Sequence, residues 1–331
     1  MISEDGLIAR HLAPIAGPGS LGLLDDAALL APPPGHELVL TKDMLAAGIH
    51  FFPDDPAGSI ARKALRVNLS DLAAKGAEPL GFLLGLALPA GTEERWMADF
   101  AAALGEDARA YRCPLLGGDT VRAAGGLTVS VTAIGSCPAG AMVPRTGGRV
   151  GQRLVVTGTI GDAALGLRLR QDKAARWAEV LNDEERGWLA DRYLHPKPRN
   201  RLALAIREHA AAAMDVSDGL LGDAVKLGAA ASHGACAPWI DLARVPLSGA
   251  ARAALMAEPA LIEPIVAGGD DYEVLMALEP EKVEDLLAAC AALGCPAAEI
   301  GELTDSAAPA FTGLDGRPAS FGALRFEHGW S

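Results

Sequence analysis

Residues 56–76 read PAGSIARKALRVNLSDLAAKG, and this stretch decides the architecture of the first half of the chain. Pro56 suits the first turn of a helix, where its missing N–H would have no partner in any case. Ile60, Ala64, Leu65, Leu69 and Leu72 then recur at helical spacing and make one apolar face. Gly76 suits the C-terminal end. Strand-like segments flank this helix: HELVLTKDML (36–45), reaching a polar end at Thr41 to Asp43, and GFLLGLALP (81–89). A second helix is predicted over 92–111. A further strand follows in GLTVSVTAIG (126–135), where Thr128, Val129, Val131 and Thr132 are β-branched. A short helix over 2–13 opens the chain.

The stretch PRTGGRVGQR (144–153) is rich in Gly and Arg and lacks periodicity, which marks a domain boundary. The expected domains are 1–144 and 145–331. The second half opens with the strand RLVVTGTIG and a helix over 161–171. Residues 172–200 are polar and Trp-punctuated and end in HPKPRN, which reads as a break. After a helix at about 200–210, AAAMDVSDGLLGDAVKLG reads as strand, acidic turn and helix. PIVAGGDDYEVLMAL reads as a glycine–acid turn before a strand, and helix 280–293 and C-terminal strands follow. Both halves mix strands and helices, so the expected fold class is α/β (α+β) with two lobes.

The 331 residues carry 29 Lys and Arg against 42 Asp and Glu, a net charge of −13, with 50% hydrophobic and 21% charged residues. This is globular composition rather than disorder. The acidity speaks against a general nucleic-acid binder, and 5% aromatics are too few for base-stacking platforms. Five cysteines without a CxxC spacing suggest neither a disulfide framework nor a zinc site. The N-terminus does not read as a signal peptide, and the longest apolar stretch, Pro79 to Ala90, is too short for a bilayer. A cytoplasmic protein without membrane or nucleic-acid partners is expected.

Acidity leaves phosphate chemistry open, because carboxylates can hold Mg²⁺ and the metal can hold phosphates. Six acidic clusters sit among small residues: Asp25-Asp26, Thr41-Lys42-Asp43, Asn68-Leu69-Ser70-Asp71, Gly117-Gly118-Asp119-Thr120, Asp215-Val216-Ser217-Asp218-Gly219 and Gly268-Gly269-Asp270-Asp271. Singly, each is an ordinary turn or cap. Together they suggest hard oxygen ligands gathered for cations, with glycines that let backbone N–H groups approach a phosphate. Asp215 and Ser217 would face the same way on a strand, and Asp218 would cap the next helix. Asp71 reads either as an i, i+4 partner of Lys75 or, with Asn68 one turn earlier, as a functional acid. Arg122 and Arg145 lie in Gly-rich settings that suit a phosphate clamp or a solvated loop. No GxxxxGK[ST] and no GxGxxG after a strand is present.

LDDAALL, TKDMLAAGIHF, ARKALRVNLSDLAAKGA, GGDTVR, VTGTIGDAALGL, MDVSDGL and AGGDDYEVL, in this order, closely resemble the thiamine-monophosphate kinase family of the PurM-like ATP-binding superfamily. The resemblance implies a two-domain PurM-like fold. Its N-terminal α/β dimerisation domain, with a mixed sheet, binds ATP and Mg²⁺ and forms a homodimer, and a C-terminal α/β domain follows. It implies phosphorylation of thiamine monophosphate to thiamine diphosphate by direct in-line transfer from ATP, assisted by several Mg²⁺ ions, with a monovalent cation as a further candidate. Asp26, Thr41, Asp43, Asp71, Asp119, Asp215 and Asp218 match the family's metal ligands. Gly118, Asp119, Arg145 and Ser217 match positions contacting ATP. His50 and Asp270 match substrate contacts, and Phe326 or Trp330 is the candidate aromatic to stack on thiamine. No general base or covalent nucleophile is implied; Asp43, Asp71, Asp119 and Asp215 handle transition-state charge through Mg²⁺.

The chain departs from the family pattern at Leu24, where a glycine is usual, at Lys42, where a hydroxyl is usual, and at Asp270, where Glu is usual. The ammonium of Lys42 would replace part of a metal's charge or touch phosphate. The competing readings are an aminoimidazole ribonucleotide synthetase-like enzyme and a non-catalytic nucleotide or thiamine-phosphate sensor, for which Leu24 and Lys42 would be the footprint.

Overall fold

The computed structural model describes residues 4–172, 174–231, 234 and 236–326. It is a mixed α/β structure whose chain divides into two compact units, Met1–Leu72 with Ala77–Met142, and Ala73–Gly76 with Val143–Ser331. The last two residues of the helix Ala57–Ala74 and the two-residue turn after it thus group with the second unit. Within that unit Lys75 Nζ donates to the Ala213 carbonyl and Arg207 Nη1 to the Gly76 carbonyl.

The first unit contains α1 (Glu4–Leu7), β1 (His36–Ala46), α2 (Ala57–Ala74), β2 (Glu78–Leu88), α3 (Glu94–Ala110), β3 (Leu115–Arg122) and β4 (Thr128–Pro138). The opening helix keeps α geometry only over α1 and continues as a π turn at Ile8–Leu12. The sheet order is β1-β4-β2-β3, antiparallel except for the parallel pair β2–β3. The apolar face expected of α2 is buried: Ile60, Ala64, Leu65, Leu69 and Leu72 are at most 2% exposed. Each such leucine contributes roughly 1.5–3 kcal/mol by leaving water. Arg62 and Arg66 tie α2 to Asp107 of α3, with a bidentate Arg66 grip at 2.6 and 2.8 Å. A Cβ on Gly135 of β4 would meet Leu72 at 3.1 Å, so α2 covers the sheet face that carries Thr41, Asp43 and Gly135. The opposite face presents Leu38, Leu40, Met44, Leu83 and Val121 as exposed apolar side chains.

The second unit contains β5 (Arg153–Thr157), α4 (Asp162–Gln171), α5 (Asp183–Leu194), α6 (Ala203–His209), β6 (Ala212–Asp215), α7 (Leu220–Ala229), β7 (Ala237–Asp241), α8 (Gly249–Ala257), α9 (Ile262–Ala267), β8 (Val274–Leu278), α10 (Val283–Ala292), β9 (Ala297–Thr304), β10 (Ala310–Thr312) and β11 (Pro318–Ala319). Its seven-stranded sheet runs β11-β10-β7-β9-β5-β8-β6. Apolar side chains from Leu154, Val156, Met214, Leu220, Leu275 and Ile300 form one core layer, and Val155, Ala213, Val274 and Met276 face a second. The 172–200 segment, to which the sequence reading assigns no element before the HPKPRN break, forms α5, opened by an Asn182–Glu185 capping box and packed on α4. The sequence reading also passes over β3, β7 and α8. Among the described residues no helix is long and apolar enough to cross a membrane.

Candidate functional site

In the first unit Asp43, Asp71 and Asp119 sit inside regular elements rather than in turns at strand ends. β1 runs on to Ala46, so Thr41 and Asp43 are mid-strand, and Asp119 lies within β3. Thr41 Oγ1 donates to the Asp71 carboxylate on α2. Asn68, fully buried one turn earlier, accepts the Asp43 N–H on Oδ1 at 3.1 Å and donates Nδ2 to the Ala64 carbonyl at 3.0 Å. Asn68 therefore straps the edge strand β1 to α2 and fixes Asp43 beside Asp71. Burial, and then the Asp71 charge, push the Asp43 carboxyl up to about 6 against the pull of Lys42. Lys75, the alternative partner the sequence offers for Asp71, donates its Nζ to the Ala213 carbonyl.

Lys42 points elsewhere than the sequence suggests. Strand alternation carries it to the open face, where Nζ donates to Ser130 Oγ. Asp119 is paired with Gly85, which is paired with Ser130, so Asp119 also rises on that open face rather than with Thr41 and Asp43. Gly118 is dictated by close approach: a Cβ there would lie 1.9 Å from the Leu84 carbonyl oxygen. His50 accepts the Ala46 N–H on Nδ1 at 3.1 Å, and its carbonyl accepts from Lys63, which holds it at the end of β1. Asp25 and Asp26 lie exposed after a 3₁₀ turn, where Asp25 Oδ1 accepts the Ala27 N–H. Leu24 sits at φ −106°, where a side chain costs nothing, and the left-handed residues are its neighbours Leu21, Gly22 and Leu23.

In the second unit two acidic loops are laced together. Asp215 ends β6 and is buried, while Ser217 lies beyond the strand in the turn, so the two do not share a strand face. Ser217 O accepts the Asp270 N–H at 2.9 Å, Val216 O accepts the Tyr272 N–H at 2.8 Å, and Glu273 O accepts the Val216 N–H at 2.8 Å. Asp270 and Tyr272 hold left-handed φ values of 74° and 50°, a strain that gathers at functional loops. The N-cap of α7 is Gly219, not Asp218. The group that accepts the turn's backbone is Asp223, whose Oδ2 takes the Ser217 and Asp218 N–H groups, both at 3.0 Å. Lys226 bridges Asp223 Oδ1, at 2.8 Å, and Asp218. Burial pushes the Asp223 carboxyl up despite Lys226. The backbone N–H of Phe326 donates to the Asp218 carbonyl at 2.8 Å, so one candidate aromatic lies against this turn. Trp330 lies outside the described residues. Exposed Arg145 opens a 3₁₀ turn whose preceding Pro144 carbonyl accepts the Ala213 N–H of β6.

The sequence reading missed Asp223, Lys226, Arg192, Arg199 and Glu273. For Asp223 and Lys226 the available signal was an i, i+3 charged pair inside the apolar run LLGDAVKLG. A histidine–carboxylate pair also exists, Asp191 and His195 at 2.7 Å, but it joins one turn of α5 and is partly exposed.

The donor set suits Mg²⁺. In the first unit it is oxygen only, from Asp43, Asp71 and Thr41, and the charges of Asp43 and Asp71 raise the energy of the ionised pair until a cation relieves it. Among the described residues no three acidic, imidazole or thiol side chains form a closed metal cage. Mg²⁺ asks for none, since one or two carboxylates with substrate phosphates and water usually complete its shell.

Two lobes of mixed sheet carrying such acids define a class. Residues 24–137 match the AIR synthase related protein N-terminal domain, and residues 149–313 match the corresponding C-terminal domain. The "Thiamine-monophosphate kinase" of Caulobacter vibrioides is 43% identical over 96% of this chain and 89% of its own length. The crystal structure of "Thiamine-monophosphate kinase" from Stenotrophomonas maltophilia is 36% identical, with a TM-score of 0.81 over 95% of this chain and 96% of that one. A structure described as AaThiL complexed with AMPPCP and TMP is 26% identical, with a TM-score of 0.75 over 93% of this chain and 96% of that one. The chain belongs to the thiamine-monophosphate kinase family within the AIR synthase related proteins.

Proposed function

We infer that this chain transfers the γ-phosphoryl group of ATP to thiamine monophosphate, giving thiamine diphosphate and ADP. The observation that carries the reading is its likeness, over nearly its whole length, to the kinase fold seen with AMPPCP and TMP. The acceptor is already a phosphate oxyanion, so no general base has to be supplied. The obstacle is bringing two anions together. Asp43, Asp71, Thr41 and Asp119 in the first unit, and Asp215 and Asp218 in the second, are the residues that would hold Mg²⁺, with Asp26 as a further ligand. When bound, the metal screens the phosphates and stabilises charge on the transferring group. Gly118 offers backbone to a phosphate, Ser217 and Arg145 serve the nucleotide, and His50, Asp270 and Phe326 serve the acceptor. Asp270 is one methylene shorter than the usual Glu and holds a left-handed φ of 74°.

Of the two departures that would mark a non-catalytic sensor, Leu24 strains nothing, and Lys42 donates to Ser130 on the sheet face of Asp119 while its charge still pulls the Asp43 carboxyl down. Five buried cysteines, with no disulfide among the described residues, fit a reducing, cytoplasmic compartment. The apolar outer face of the first unit's sheet, with Leu40 64% and Met44 57% exposed, fits burial against a second copy of the chain.

Incubation with ATP, Mg²⁺ and thiamine monophosphate should yield thiamine diphosphate and ADP. Asp71→Asn and Asp215→Asn should reduce the rate by about a hundredfold or more, the loss typical when charge-stabilising groups are removed. Tight ATP binding without turnover in the unaltered protein would overturn the reading.

A further inference from the structure

The 172–200 segment sends two arginines into the interior of the second unit. Arg192, on α5, is 2% exposed, and Arg199 follows in the PKPRN stretch. Both converge on the fully buried carboxylate of Glu273. Arg199 grips it through Nε, at 2.6 Å, and Nη2. Arg192 Nη2 donates at 3.1 Å to both Glu273 Oε1 and the Asp271 carbonyl, while its Nη1 has no partner among the described residues. Thr157 Oγ1 donates to Glu273 Oε2 at 2.7 Å and accepts the Val274 N–H at 2.8 Å. The chain closes over the carboxylate at Gly158, where φ is 65° and a Cβ would lie 2.0 Å from Glu273 Oε1.

A buried ion cluster of this kind is a weak source of stability, because desolvation offsets most of its attraction. Its connections point to another use. The backbone of Glu273 and Tyr272 is bonded to Val216, and Asp270 to Ser217. The side chains of Asp271 and Glu273 are both fully buried, whereas those of Asp270 and Tyr272, which alternate with them, are partly exposed. The cluster therefore grips the inward half of the loop whose outward half carries Asp270. The left-handed φ values of Asp270 and Tyr272 persist only where surroundings over-determine them. The neighbouring Ser217–Asp218 turn has its own anchor in Asp223.

We propose that Arg192, Arg199 and Glu273 are positioning residues that clamp the 269–273 loop and so set where Asp270 meets the phosphorylated acceptor. The proposal rests on the kinase reading above. The 172–200 segment is then the strut of the acceptor side of the site, acting through backbone and touching no reacting atom.

The test uses Arg199→Met, which removes the charge, and Arg199→Lys, which keeps it but loses the fork. Both are assayed at a temperature where circular dichroism shows the fold intact. Arg199→Met should raise KM for thiamine monophosphate about tenfold and leave KM for ATP within about twofold, with Arg199→Lys between it and the unaltered protein. In deuterium exchange, amides of 268–274 should exchange about tenfold faster in Arg199→Met while those of β9 keep their protection. A folded Arg199→Met with unchanged KM for the acceptor and unchanged exchange at 268–274 would overturn the clamp. Should the unaltered protein make no thiamine diphosphate, the kinase reading falls separately. The exchange result alone then decides the clamp, faster exchange supporting it and unchanged exchange overturning it.

Discussion

The amide of Phe326 donates to the carbonyl oxygen of Asp218 at 2.8 Å, and the ring remains about half exposed. Gly222 makes this docking possible, since a Cβ there would lie 2.4 Å from Arg325 Cβ. A stacked aromatic contributes about 0.5–1.5 kcal/mol beyond its buried area. Phe326→Ala should therefore raise KM for thiamine monophosphate roughly twofold to tenfold, with little change in kcat or in KM for ATP. Steady-state kinetics beside Trp330→Ala will show which aromatic carries the stacking; an unchanged KM in Phe326→Ala excludes Phe326.

Asp223 holds two backbone donors and an ammonium, using both oxygens. An asparagine can keep the N–H bonds on its one oxygen, but its NH₂ then faces Lys226. Asp223→Asn should lose about 1–3 kcal/mol of stability and weaken nucleotide binding through the loosened Ser217–Asp218 turn. Urea melts and calorimetric titration with AMPPCP measure the two effects. Full retention of nucleotide affinity would separate Asp223 from the site.

Asp271 is fully buried and accepts the Gly161 N–H on both oxygens, at 3.0 and 2.9 Å. Burial drives its carboxyl well above the usual value, more than the Gly161 bond and Arg192 lower it. The folded state then holds a proton that the unfolded state has released, so this group makes stability fall as pH rises from 3.8 through the raised folded value. Asp271→Asn keeps an acceptor without the charge. It should flatten that slope and raise Tm at pH 8, read from thermal melts across pH 5–8. Parallel pH profiles for the two proteins would refute the assignment.

Leu40 and Met44 project from β1 on the sheet face opposite α2 and are exposed. If a second copy buries them, Leu40→Asp should convert a dimer of about twice the chain mass to a monomer, because an unpaired charge in an apolar interface is strongly disfavoured. Light scattering after gel filtration measures this. A monomeric unaltered protein would remove the dimer.

Much of the fold was legible because burial imposes a period. The apolar face from Ile60 to Leu72 predicts α2, and it is the buried face. The 172–200 segment escaped because its helix is polar by composition, and one of its inward residues, Arg192, is buried by pairing with Glu273 beside Leu189 and Tyr193. β3 escaped because its Gly-Gly-Asp-Thr run looks like a turn, yet pairing with β2 holds it extended.

The sequence by itself determined the two-lobed α/β class and the family, since these follow from residue type, order and spacing. Only the tertiary structure decided which way the candidate site residues point. Thr41 meets Asp71 while Lys42 crosses to Ser130, because successive residues of a strand face opposite ways and α2 lies on one side only. Asp223 rather than Asp218 holds the second unit's turn, and Arg192 and Arg199 seek Glu273, because a buried carboxylate needs partners that can come from any distance along the chain.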